Sequence, residues 1–230
     1  MTPAGFWRRY AAYSLDIVVV LLLASPLLAW RVPALFAPVG VAMEALQMRM
    51  WALMDESFAT GNPDPMAMAT TWANDPALRD GVLSLSSTLL GACLGVLMII
   101  VAFAAVWFIG FEASPSRATP GKRALGLQVA AVDGGRAGFG RVLLRFVAGA
   151  PSWLLLHLGH AIAGWRRDRR ALHDLVAGTR VLLAPGAPSA MPRWAFWWLC
   201  MQAAALAAAF FTVLSMYAVM FYEAASGGLA

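Results

Sequence analysis

The sequence predicts an all-α polytopic membrane protein with three to four transmembrane helices, one of them a candidate re-entrant hairpin, and a small cytoplasmic β-element. Three observations predict it. Of the 230 residues, 61% are hydrophobic and 13% charged, with a mean hydropathy of +0.69, so polar groups are too few to cover a water-exposed surface. Four apolar runs, 10–30, 83–111, 142–165 and 194–222, each reach the about 20 residues that a bilayer crossing needs. The basic residues gather at the flanks of these runs, as they do in helices anchored at a membrane surface.

The net charge of +5 does not point to nucleic acid, because no basic recognition helix or aromatic-interleaved basic patch is present. Lipid headgroups are the expected anionic partner. Cys93 and Cys200 each sit inside an apolar run, without the spacing of a zinc site or a disulfide framework, and read as small hydrophobes.

The first run follows Arg8 and Arg9, but Asp16 interrupts it and no cleavage signature follows, so it reads as a retained helix and not a signal peptide. The second carries Gly91 and Gly95 in a G-x-x-x-G spacing that lets another helix approach closely. The fourth has Trp194, Trp197 and Trp198 at one end and Tyr217 and Tyr222 at the other, an interfacial aromatic pattern.

Orientation follows from the basic residues. Residues 31–82 hold Arg31, Arg49 and Arg79 against Glu44, Asp55, Glu56, Asp64, Asp75 and Asp80; the other fourteen basic residues lie at the amino terminus, in 117–145 and in 166–193. The positive-inside rule places those three stretches in the cytoplasm, with a cytoplasmic amino terminus, and the acidic loop 31–82 outside. A single crossing by 142–165 would put two of the basic stretches on opposite faces. A re-entrant hairpin bent at Gly149-Ala150-Pro151 removes the conflict, with a plain crossing as the alternative.

Two segments read as strands. Residues 125–132 (LGLQVAAV) end at Asp133-Gly134-Gly135, a hairpin-type turn signal, and 179–183 (TRVLL) are a second candidate. Residues 39–58 have apolar side chains at helical spacing and read as an amphipathic helix on the outer surface.

Asp16 is the sharpest chemical signal, since a carboxylate among lipid tails costs several kcal/mol unless it is neutral, hydrated or partnered. Arg9 lies two turns earlier, too far for an easy direct pair, so the expected partners are Arg141, Arg145, His157, His160 or Arg180. Two readings stand side by side: an ionic lock between helices, or a proton or cation site. His157 and His160 share a helix face and could relay protons; neutral histidines bonded to backbone are the plainer reading. No metal site is expected, because further ligands at recognisable spacing are missing.

The stretch SRATPGKR at 116–123 lacks the first glycine and the Ser or Thr of a phosphate loop. It reads as a Pro-Gly turn whose Lys122 and Arg123, with Arg166 and Arg167, contact lipid headgroups. His173 and Asp174 lie in an arginine-rich stretch with no nucleophile and positioned base, so hydrolysis by a triad, and enzyme activity generally, is not expected.

Four stretches together resemble the RDD family of bacterial membrane proteins: GFWRRYAAYSLD at 5–16, TPGK at 119–122 leading into GLQV at 126–129, Leu144-Arg145, and LHDLVAGTRV at 172–181. The arginine and two aspartates of the family name look like Arg9, Asp16 and Asp174. The resemblance implies a multi-pass protein of the bacterial cytoplasmic (inner) membrane, either a sodium/proton exchanger or a member of a membrane-associated assembly. On this reading 1–183 form an RDD-like membrane domain, with outward loop 31–82 and cytoplasmic loops 112–141 and 166–193; 194–222 add a helix, and 223–230 a tail. Arg9, Asp16, Asp174, Arg145, Arg180 and His173 are expected to form a polar site near the cytoplasmic boundary, without a cofactor. Its partners would be lipids, protons or sodium, or a protein neighbour, including a second copy of the chain.

Overall fold

The computed structural model describes residues 2–59, 61, 64–154 and 158–226, with the side chains of all but 153, 154, 158, 160 and 225. Among them, three helices are long and apolar enough to cross a membrane: α1 (Phe6–Ala59), α3 (Pro76–Ala113) and, after several short elements, α9 (Arg193–Ser226). Between the first two lies α2 (Pro65–Asn74). The chain divides into two compact units, Met1–Val18 with Trp107–Ala230, and Val19–Val106.

In the unit Val19–Val106, the expected outward loop is mostly helix. α1 continues for 54 residues through Pro26, Pro33 and Pro38, and α3 begins at Pro76, ahead of the expected 83. Pro is tolerated in apolar helices when neighbours meet the freed backbone groups, and the Ala, Leu, Met, Glu and Gln of 42–53 are strong helix formers. The amphipathic helix read at 39–58 is therefore the distal part of α1. Asp64 caps α2 by accepting from the Met66 amide at 3.2 Å. Asp75 starts α3, accepting from the Leu78 amide at 2.6 Å and from Arg49 Nη2 at 2.6 Å and Nε at 3.2 Å. Gly95 lets α3 approach Leu35, where a Cβ would stand 2.9 Å from Cδ2; Gly91 has open space around it.

In the other unit the ends of the long helices join a small sheet. β1 (Leu127–Ala131) pairs antiparallel with β2 (Thr179–Leu183), Val129 opposite Val181. The amino-terminal tail adds a bridge from Pro3 to Leu182 and a hydrogen bond from the Ala4 amide to the Val181 carbonyl, 3.1 Å. Both strand segments were readable in the sequence, but the turn at Asp133-Gly134-Gly135 leads into α5 (Phe139–Val147), so the partner of β1 lies about fifty positions on. The core beneath the sheet comprises Ala4, Ala11, Ala12, Leu125, Leu127, Val129, Ala137, Val142, Val181 and Ala195. Its alanines let α1 and α9 come close to the strands.

Where 142–165 could have crossed the membrane, the described residues form three short helices, α5, α6 (Ala150–Leu154) and α7 (Leu158–Trp165). Nine residues of α5 rise only about 14 Å, less than half the roughly 30 Å hydrocarbon layer. α5 and α7 both pack on α8 (Leu172–Val176), so the two outer helices of this segment meet one later element. The chain turns at Gly149, whose amide donates to the Phe146 carbonyl at 3.0 Å. α9 is tied to α1 near its start, where Trp198 Nε1 donates to Ser14 Oγ at 2.9 Å. Residues 203–224 of α9 are exposed.

Candidate functional site

The last turns of α3 and α5, the first turns of α1 and α8, and the short helix α4 (Pro120–Ala124) each contribute one charged side chain to a buried chain of ion pairs. Asp174 on α8 accepts from both Arg9 and Arg145. It also receives the Ala171 amide at 3.0 Å and Thr179 Oγ1 at 3.3 Å. Arg145 then reaches through Nε to Glu112 Oε2 at 3.1 Å, and Lys122 Nζ pairs with the other Glu112 oxygen. The Lys122 ammonium also lies 5.1 Å over the ring of Phe108. Three cations thus face two carboxylates, leaving one positive charge in excess.

Burial makes this arrangement consequential. Glu112 is 4% exposed, Asp174 0%, and Arg145 and Lys122 7% each, so removing one partner would leave a charge uncompensated in low dielectric. Arg9 is held at its other end by the Arg169 carbonyl, 2.6 Å. His173 is buried beside Asp174, its Nε2 3.8 Å from Oδ1.

Asp16 occupies a second polar position. It is buried and accepts from Thr119 Oγ1, from the Gly121 amide at 2.9 Å and from Trp107 Nε1 at 3.1 Å. Thr119 is the N-cap of α4, and its oxygen accepts from the Lys122 amide at 3.3 Å. The carboxylate therefore lies at the start of α4, where free amides and the helix dipole favour negative charge. Gly121 permits the approach, since a Cβ there would stand 2.8 Å from Asp16 Cγ and closer still to the Ala12 carbonyl oxygen.

Several expectations need correction. Asp16 has no arginine among its described partners: Arg141 faces Asp133 at 3.7 Å, Arg145 serves Asp174 and Glu112, and Arg180 donates to the Val132 carbonyl. Neutral donors converging from α3 and the 119–121 turn take the place of the cation. Arg180 is thus outside the polar site, because its position on β2 directs it to the end of β1. Lys122 is not a headgroup contact: it is turned inward, and Glu112 compensates its burial. Arg123, Arg166 and Arg167 are exposed. Arg166 bonds Asp168 at 2.9 and 3.0 Å and holds that carboxyl down at about 2. His157 and the side chain of His160 lie outside the described residues.

Glu112 is the site residue that the sequence reading missed. It ends the second apolar run on a side otherwise rich in arginine, and an isolated acid in such a place is a signal for a buried pair. Among the described residues, no group of His, Cys, Asp and Glu is placed to hold a metal ion.

The charged residues border a cavity of about 230 Å³. Arg9, Glu112, Lys122, Arg145 and His173 line one part of it, and Tyr10, Tyr13, Phe108, Ile109, Val142 and Phe146 line much of the rest.

The sequence profile of the RDD family matches residues 3–178, a span that contains all five members of the ion network as well as Asp16. The chain belongs to the RDD family. An uncharacterized protein of Bacillus subtilis (strain 168), YxaI, is 26% identical over 180 residues, covering 78% of this chain and 97% of that one. No solved structure matches. In this RDD protein the profile ends just before β2, so α9 lies beyond the matched part, and the ion network lies wholly within it.

Proposed function

We propose that this RDD protein is a non-catalytic scaffold or assembly partner in the bacterial inner membrane, multi-pass with a cytoplasmic amino terminus, whose buried charges lock its membrane helices to a cytoplasmic cap. One observation carries the reading. Each carboxylate at the polar centre is already met by fixed groups: Asp174 by two guanidiniums, Glu112 by Arg145 and Lys122, and Asp16 by three neutral donors. A cation exchanger needs an acid that can give up its partner during a cycle, and here each release would strand a buried charge or break the start of α4. The excess of positive charge further disfavours a sodium site. Cytoplasmic placement of the cap rests on its share of the basic residues.

The test reconstitutes the purified protein in vesicles and, in parallel, extracts it from native membranes in mild detergent. A scaffold shows no sodium-driven pH change and a defined neighbour that co-purifies. Sodium-driven proton movement by a clean monomer contradicts it.

Sodium/proton exchange is the second reading, favoured by the setting of Asp16. It bonds a hydroxyl, an amide and an indole, so protonating it separates no ion pair. On that reading Asp16→Asn abolishes ion-driven pH change while the protein stays folded.

A further inference from the structure

The cavity beside the ion network belongs to neither role. Its walls combine a basic end, where Arg9, Lys122 and Arg145 outnumber Glu112, the single lining carboxylate among the described residues, with an aromatic and aliphatic remainder. A volume of about 230 Å³ is many times the roughly 10–15 Å³ that a single water needs. Water would be poorly held along the apolar walls, and a simple inorganic anion would leave them unused. Lys122 Nζ has three N–H donors; one serves Glu112, and the ammonium faces the cavity. The position also matters. Glu112 follows the apolar run of α3 and Arg9 precedes that of α1, the flanking positions at which charged residues of membrane helices meet headgroups.

We propose that this cavity binds an anionic amphiphile, with a phosphate or carboxylate head against Arg9, Lys122 and Arg145 and an aliphatic chain along Tyr13, Phe108 and Phe146. The membrane leaflet on that side supplies such molecules directly. Arginine forks and a lysine ammonium suit a phosphate head, while the aromatic walls hold the first methylenes of a tail.

The experiment measures the thermal unfolding of the full chain in a neutral detergent with dodecyl phosphate, inorganic phosphate or dodecyltrimethylammonium added. Dodecyl phosphate is expected to raise Tm by roughly 5 °C or more at a hundredfold excess over Kd, with much smaller effects from the other two. Equal stabilisation by inorganic phosphate overturns the amphiphile in favour of a free anion, and equal stabilisation by the cationic surfactant overturns the basic site. Lys122→Met should abolish the shift but could fail to fold, since it disturbs Glu112. Ala161→Phe is the second variant: Ala161 lines the cavity and takes no part in the ion pairs, so filling it should remove the dodecyl phosphate shift while the protein remains folded. An undiminished shift in Ala161→Phe overturns the assignment.

Discussion

Glu112, in the last turn of α3, accepts a hydrogen bond from Arg145 Nε at 3.1 Å across 33 positions of sequence. Through this contact the end of an apolar helix is fastened to α5, which lies between the two strands in sequence, and through Arg145 it is connected to Asp174 and Arg9. Glu112→Gln leaves Lys122 and Arg145 with a neutral partner in a buried place. The expected cost is about 3 to 5 kcal/mol, seen as a fall in Tm of order 10 °C in detergent. An unchanged Tm would show that Glu112 carries no structural charge.

Gly121 should tolerate no side chain. A Cβ there meets Asp16 and the Ala12 carbonyl, and both are buried in the contact between α1 and α4, so Gly121→Ala should cost about 1 to 3 kcal/mol through overpacking. Gly91→Ala, with nothing within 4 Å of the new atom, is the control and should leave thermal stability nearly unchanged.

Gly95 makes a milder prediction. Its hypothetical Cβ would press on Leu35 Cδ2 at 2.9 Å, the far end of a flexible side chain. Gly95→Ala should therefore destabilise slightly, and Leu35→Ala in the same chain should relieve the clash, giving a non-additive pair in unfolding measurements.

The Arg166 and Asp168 pair sets a small pH dependence. Its folded carboxyl stands at about 2, below the ordinary 3.8, because Arg166 bonds it. A depressed acid contributes stability that is complete above the ordinary value and disappears as pH falls through the folded one; both side chains are exposed, so the contribution is slight. Arg166→Ala should move the Asp168 titration, followed by NMR, back towards 3.8; no movement would show that the pair does not persist in solution.

The membrane character was legible because long apolar runs leave few alternatives, and both strands were legible because their β-forming residues lie outside those runs. The connection 31–82 misled, since Pro33, Pro38 and scattered charge look like a broken chain, whereas α1 runs helical through both prolines. Within the site, Arg9, Asp16, Asp174 and Arg145 could be picked out through the family resemblance. Glu112 could not, and Lys122, though within the TPGK stretch, reads as a headgroup contact, because their pairing depends on two element ends that only the tertiary fold brings together. The partners of Asp16 left no trace as charges: a hydroxyl, an amide and an indole are common groups, and only their convergence makes them a site.

The central claim is that the buried charges act as one lock. A double-mutant cycle on Arg9 and Asp174, using Arg9→Met, Asp174→Asn and the double variant, measures it through unfolding free energies in detergent. The account predicts that the double variant loses less than the two single losses combined, by at least about 1 kcal/mol. Losses that add to within about 0.5 kcal/mol would contradict it.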